Sequence, residues 1–242
     1  MPYTHAFFAT QKVRSLQSAR EVVPVLTDLV KPTSVIDVGC ATGTWLSVFR
    51  KLGVENVLGI DGAWVGHDLL EIPREQFIEH DLTQPLQLSR QFDLALSLEV
   101  AEHLPESAAD SFINTLTQLA PVVAFSAAIP FQGGNHHVNE QWQSYWADKF
   151  KQRKYVALDC VRPVIWNNAN IVIWYRQNLL VYVHRDHLLR TPHLEELYQQ
   201  SAAKQIDVVH PEYLNNMGVG MLMRLFPRAL TRTLNARMKR LS

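Results

Sequence analysis

Apolar residues change period several times along this chain of 242 residues. Over about 18–30 they fall at Val22, Val23, Val25, Leu26, Leu29 and Val30, which predicts a helix that Lys31-Pro32 ends. Pro24 fits that helix only near its first turns, because an interior proline removes a backbone donor. Short apolar runs then alternate with helical patterns. Strands are predicted over 34–38, 56–60, 76–79, 92–98 and 122–127, and helices over 44–52, 106–119 and about 140–151. Two late apolar segments, 155–161 and 178–184, have no strong helix between them and suggest an antiparallel edge pair. Seven strands with helices among the first five imply an α/β protein with a mostly parallel sheet, buried on both faces. The chain reads as one domain over 1–242. Its core spans about 18–185, with an N-terminal cap over 1–17 and a C-terminal helical appendage over 186–242.

The first strand leads into a loop, Val35-Ile36-Asp37-Val38-Gly39-Cys40-Ala41-Thr42-Gly43, and then into a helix ending at Gly53. Strand, glycine turn, helix lets a backbone approach a nucleotide-like ligand closely. Glycine is expected there because a Cβ would meet the ligand or forbid the turn. Asp37, Asp61, Asp81 and Glu99 each fall at or near the C-terminal end of a predicted strand. Ligands of open α/β sheets bind outside those ends.

Asp-x-Gly-x-x-x-Gly after a strand, an acid ending the second strand, Asp-Leu after the third and an acid-rich segment after the fourth resemble a class I S-adenosylmethionine methyltransferase. The resemblance covers about 33–184. It implies a Rossmann-like, seven-stranded, mostly parallel sheet with helices on both faces and an antiparallel last strand. By position, Gly39, Cys40, Ala41 and Gly43 would form the turn against the methionine portion, with Ala41 where the common form has glycine. Asp37 would steer the backbone or the amino group, and Asp61 would accept both ribose hydroxyls. Asp81 would bond the adenine amino group, Leu82 would pack on the ring, and Glu99 would join the donor contacts. A nicotinamide-binding Rossmann domain gives no reason for Asp37, and little chain is left for its usual second domain.

Leu98-Glu99-Val100-Ala101-Glu102-His103 follows the fourth strand. On a helical turn, Glu99, Glu102 and His103 would share one face at i, i+3 and i+4. Two carboxylates and an imidazole can hold a divalent cation. Glu-x-x-Glu-His is similar to the plant-type small-RNA 2′-O-methyltransferases and the ubiquinone-pathway O-methyltransferases, and implies a metal beside the accepting hydroxyl. The donor set suits Mg²⁺ or Mn²⁺. His136 or His137, in Gly133-Gly134-Asn135-His136-His137-Val138-Asn139-Glu140, would complete the shell. In a metal-free alternative His103, His136 or His137 is the general base. In a third, the acidic step caps a helix or contacts the donor, Asn139 caps the next helix and Glu140 lies at its positive end.

Trp166 and Trp174-Tyr175-Arg176-Gln177-Asn178 precede the last strand, where aromatics with polar groups suit a sugar-like acceptor, and core or edge packing explains Trp174 equally well. The whole pattern resembles bacterial methyltransferases that accompany glycan or secondary-metabolite assembly. It implies O-methylation of a sugar, a glycan or a small hydroxylated metabolite. RNA ribose methylation or N-methylation is the alternative, and a non-catalytic cofactor-binding subunit is another.

Formal net charge is +0, so a nucleic-acid partner is not expected. Cys40 and Cys160 have no metal-like spacing, no signal peptide is evident, and the apolar run over 179–183 is too short to span a bilayer. A cytoplasmic, reduced protein follows as the expectation. Charge is unevenly placed, for no acid follows Glu212 while Arg224, Arg228, Arg232, Arg237, Lys239 and Arg240 do. Leu230, Leu234, Met238 and Leu241 recur at helical spacing after Pro227. That tail reads as a helix docked on the domain or on a homodimer partner, or as a peripheral contact with the inner face of an anionic membrane.

Overall fold

β1 (Ser34–Val38) is buried along its whole length, and its alternate residues serve two different cores. Val35 joins the cluster on one face of the sheet, and Ile36 and Val38 join the cluster on the other. The computed structural model describes residues 5–201 and 205–215. The expectations for residues 1–4 and for the basic helix after Pro227 lie outside the described residues. By backbone proximity the chain divides into one unit ending at Val208 and a second beginning at Val209. The first therefore runs past the expected core end near 185. In the second, a helical turn at Pro211–Asn215 is described, with the Glu212 amide donating to His210 Nδ1 at 3.2 Å.

The remaining strands are β2 (Asn56–Asp61), β3 (Phe77–Glu79), β4 (Leu94–Leu98), β5 (Val122–Ser126), β6 (Tyr155–Leu158) and β7 (Leu180–His184). They form one sheet in the order β3-β2-β1-β4-β5-β7-β6. The first five run parallel, and β7 pairs antiparallel with both β5 and β6. This is the Rossmann-like sheet expected, including the antiparallel edge pair. Strand order reverses between β1 and β4, and a crevice opens outside the strand ends at such a switch point.

The helices are α1 (His5–Val30), α2 (Thr44–Lys51), α3 (Ala109–Leu119), α4 (Gln143–Gln152), α5 (Arg162–Ile165), α6 (Ile173–Asn178), α7 (Arg185–Leu188) and α8 (Pro192–Ser201). α2 buries Trp45, Leu46, Val48 and Phe49 and places Arg50 and Lys51 in its last turn, where cations suit the helix dipole. α1 departs from expectation. It starts well before residue 18 and keeps Pro24 in its interior, so residues 5–17 are helix rather than a separate cap. Its buried stripe of Ala19, Val22, Val23 and Leu26 outweighs the bond that Pro24 cannot make. α4 begins at Gln143, so neither Asn139 nor Glu140 caps it. Among the described residues no helix is long and apolar enough to cross a membrane.

Candidate functional site

The turn after β1 folds as it does because glycine is needed against protein as well as for its backbone. Gly39 has φ 90, and a Cβ there would lie 2.3 Å from Val100 Cγ2. Gly43 has φ 79, and its Cβ would lie 2.9 Å from Ile72 Cγ1. Both take left-handed backbone that L side chains resist. The amides of Gly39 and Cys40 donate to Ile60 O at 2.8 and 3.1 Å, tying the turn to β2. Glu71, on the loop after β2, accepts Thr44 Oγ1 at 2.7 Å and so ties that loop to the start of α2.

A cleft of ≈ 1380 Å³ opens at these strand ends. Asp37, Gly39, Cys40, Ala41, Asp61, Asp81, Leu82, Glu99, Glu102, His103 and His137 line it; Gly43 and His136 do not. Gly43 instead gives room to Ile72. Ser15 of α1, Trp45 of α2 and Trp64 also reach the cleft, and sequence reasoning missed them. Trp64 stands three residues after Asp61 in a short loop, which was the available signal; Ser15 offered none. Trp174 and Tyr175 also line the cleft, with Tyr175 edge-on to Trp45 at 5.1 Å between ring centroids.

Beside the turn after β1, Asp61 is 5% exposed and accepts the amides of Ala41 and Gly62, each at 2.7 Å. Burial raises its carboxyl to about 6, against the two amides that hold it down. Burial, then the nearby Asp61, pushes Asp37 well above the usual carboxylate range. Burial likewise raises the Cys40 thiol, so Cys40 is a small apolar filler. Asp81 is exposed, and the Thr83 hydroxyl and amide bonded to its Oδ1 hold it below the ordinary value.

Across the cleft the expected helical face does not form. Glu99 has φ 56 and Val100 has φ −124 with ψ −47, neither of them helical, so the short turn Ala101–His103 is not continuous with Glu99. What converges is Glu102, His103 and His137, with one ligand atom from each inside 4.8 Å of the others. Glu99 and His136 are not in that group. His136 takes a left-handed φ of 60, and the chain turns there so that the next residue reaches the cluster. The amides of Val138 and Asn139 donate to the Glu102 carbonyl at 2.9 and 3.0 Å, which anchors the segment. His137 stands edge-on to His103, ring centroids 4.9 Å apart.

Glu140 orients His137, accepting its Nδ1–H at 3.0 Å while also accepting the amides of Phe131 and Gly133. That fixes the tautomer and leaves Nε2 as the remaining ligand atom. Gly134 leaves room for this ring, because a Cβ there would lie 2.2 Å from His137 Nε2. Glu102 is fully buried, and neither carboxylate oxygen makes a well-formed hydrogen bond. Burial, followed by the Glu99 carboxyl beside it, drives Glu102 well above its ordinary value, against the amides of Glu102 and Ala128. Partial burial, then His137, lowers His103, which keeps its imidazole neutral near pH 7.

Arg176, Gln177 and Asn178, expected at the acceptor, are buried. Arg176 donates to the Trp166 carbonyl at 3.3 Å, and Asn178 donates to Glu99 at 3.1 Å.

A parallel sheet with this switch point, a glycine turn and acids at successive strand ends define a transferase of the Rossmann-like methyltransferase class. The chain belongs to the methyltransferase domain family, which it matches over residues 10–157, and it is a methyltransferase. A search of curated protein sequences returns no match. Among solved structures it is similar to the methyltransferase domain of bacterial CtHen1-C, at 18% identity over 69% of this chain and 97% of that one, with a TM-score of 0.52. It is also similar to magnesium protoporphyrin IX methyltransferase from Synechocystis PCC 6803 with bound S-adenosylmethionine, at 19% identity over 71% and 80%, TM-score 0.51. A third is the sugar N-methyltransferase KedS8 from Streptoalloteichus sp ATCC 53650, at 13% identity over 69% and 87%, TM-score 0.54. At these identities the likeness is one of fold.

Proposed function

We propose that this methyltransferase uses S-adenosylmethionine to methylate a hydroxyl oxygen of a sugar, a glycan or a small hydroxylated metabolite, and that Glu102, His103 and His137 hold a divalent cation, Mg²⁺ or Mn²⁺, beside that hydroxyl. The observation that carries the cation is the Glu102 carboxyl group, buried without a well-formed hydrogen bond on either oxygen and within 4.8 Å of a ligand atom on each of two imidazoles. A buried carboxylate without well-formed hydrogen bonds is costly, and a cation would satisfy it. The carboxylate–imidazole set suits a borderline-hard ion such as Mn²⁺.

The donor half fits S-adenosylmethionine. The cleft, at ≈ 1380 Å³, exceeds the roughly 300–1,000 Å³ of a typical single-ligand pocket, which leaves room for donor and acceptor together. Asp61 keeps lone pairs beyond the two amides it accepts, enough for a ribose diol. Asp81 and Leu82 line the same cleft and suit the adenine edge and face.

The donor supplies a methyl group on a cationic sulfur; a new C–O bond forms as the C–S bond breaks, its electron pair staying on sulfur. A bound cation would supply charge that stabilises the acceptor as an alkoxide. His103, neutral near pH 7, would take the hydroxyl proton or ligate. Trp174 and Tyr175 line the same cleft and would offer aromatic surface to the acceptor.

The test is methyl transfer from labelled donor to a panel of nucleotide sugars, glycolipids and phenolic acceptors, with and without chelator. Labelled, chelator-sensitive product that Mn²⁺ restores is the expected result. Lack of donor binding by calorimetry at millimolar concentration would sink the donor assignment. Turnover that ignores chelator would sink the cation and leave the metal-free general-base version, while methyl found on nitrogen would replace the hydroxyl acceptor with an amine.

A further inference from the structure

Two buried side chains meet at the carbonyl of Gln177. That residue lies in the last turn of α6, where carbonyls have no partner within the helix. Arg162 of α5, 2% exposed, donates Nη1–H to Gln177 O at 3.2 Å and to Ile206 O at 2.8 Å. Its Nε–H and Nη2–H go to the two oxygens of Asp159, each at 2.8 Å, so the buried charge is paired. Gln143, at the start of α4 and 3% exposed, donates Nε2–H to Gln177 O at 3.5 Å and to Val208 O at 3.1 Å. Between those two carbonyls, Asp207 accepts the Ser144 amide at 2.7 Å and the Ser144 hydroxyl at 2.8 Å.

Residues 206–208 therefore form a strap, fastened to the first turn of α4 and bridged twice to the end of α6. Stability alone does not account for Arg162, because apolar packing serves as well as a buried ion pair. A planar guanidinium does something apolar packing cannot, holding two carbonyls and a carboxylate in one fixed fork. What it holds here is α6, six residues long and too short to keep its place without such packing. α6 carries Trp174 and Tyr175, and both line the cleft. The Tyr175 hydroxyl lies 3.5 Å from Ser15 Oγ, and its ring stands edge-on to Trp45. Trp45 belongs to the first turn of α2, directly after the glycine turn that suits the methionine portion of the donor. Arg162, Gln143 and Asp207 do not line the cleft, so any effect they have on it passes through α6.

We propose that Arg162, Gln143 and Asp207 are positioning residues, which brace α6 through the 206–208 strap and so set Tyr175 against Trp45 at the methionine end of the donor site. The proposal rests on the donor assignment above. Hydrogen-bonded chains of this kind carry coupling between distant positions, and breaking one shifts a binding constant by several-fold.

The experiment compares two ligands by calorimetry, with thermal melts to confirm folding. One is S-adenosylmethionine; the other is 5′-methylthioadenosine, which keeps the adenosine and lacks the amino-acid end. The proteins are the whole native chain and its variants D207A, Q143L, R162M and D207N. D207A, Q143L and R162M are expected to weaken S-adenosylmethionine by about fivefold or more and 5′-methylthioadenosine by less than about twofold. D207N keeps an oxygen for the Ser144 amide and is expected to bind both ligands as the native chain does. Equal losses for the two ligands would mean general loosening and would overturn the proposal. Native affinity for S-adenosylmethionine in D207A and Q143L would overturn it as well. So would a D207N variant as weak as D207A, which would put the effect in the charge and not in the strap. Should R162M fail to fold, D207A and Q143L decide the matter. A native chain that binds neither ligand overturns the donor assignment and this proposal with it; native binding of both, unchanged in the variants, overturns this proposal alone.

Discussion

The Asp61 carboxylate accepts the Ala41 amide at 2.7 Å, so the acid that ends β2 is clasped to the turn that follows β1. Burial raises this carboxyl to about 6 although two amides favour its ionised form. A ribose hydroxyl donates to the carboxylate, so donor binding needs the proton off. As pH falls through about 6, Asp61 takes a proton and donor affinity should drop, approaching about tenfold per pH unit. Calorimetry between about pH 5 and 8 checks this, and Asp61→Asn should bind at least about tenfold more weakly with a flatter profile. A flat profile in the native protein would remove Asp61 from the donor contacts.

Gly39 and Val100 are expected to be coupled. A Cβ at Gly39 would lie 2.3 Å from Val100 Cγ2, and the backbone there has φ 90. Gly39→Ala should cost about 1–2 kcal/mol for the left-handed backbone. Overpacking should add about 1–3 kcal/mol. Val100→Ala relieves only the second part. A double-mutant cycle read by urea denaturation should therefore show a favourable coupling of about 1–3 kcal/mol. Strict additivity would mean that Val100 does not set the need for glycine.

His136 and His137, adjacent in sequence, should behave differently. His137 stands 4.9 Å from His103 between ring centroids, and Glu140 fixes its tautomer. His137→Ala should lower Mn²⁺ affinity by about 10- to 100-fold, and Glu140→Gln should reproduce part of the loss by loosening the ring. His136→Ala should leave Mn²⁺ affinity within about twofold of native. Equal losses at both positions, measured by calorimetry, would refute the assignment of His137 over His136.

The sheet was legible in the sequence because each central strand is a continuous apolar run bounded by turn residues. The placement of Gly39, Asp61 and Asp81 at the cleft was legible for a related reason, since they sit at strand ends and follow once the strands are known. The acceptor side was not. Whether Glu99 continues a helix into Glu102 depends on a left-handed backbone that Gln132 and Asn178 stabilise from distant parts of the chain. Asn178 and Gln177 look like acceptor contacts by composition, and tertiary packing turns them inward instead. Glu140 resembles a helix-start acid, yet it binds His137 and two loop amides before the helix begins. Pro24 misled for the converse reason, since a local rule yields to the buried stripe of α1.

Glu102 should trade stability for function. Its carboxyl is fully buried, lacks a well-formed hydrogen bond and is pressed by Glu99, so its folded-state value lies well above its ordinary one. For a carboxylate shifted in that direction, the unfolded chain releases its proton first. Stability is then lost as pH rises from the ordinary glutamate value through the raised folded one. Glu102→Gln keeps the shape and removes the charge. It should stabilise the metal-free protein by about 1–3 kcal/mol at pH values above that window, and by much less at about pH 4. The same variant should lose the rise in melting temperature that Mn²⁺ gives the native protein, because the ligand anion is gone. Melts of both proteins across that pH range, with Mn²⁺ and with chelator, separate the two effects. A variant less stable than native above the window would mean that Glu102 is already well satisfied without a cation, and the reason for placing one there would disappear.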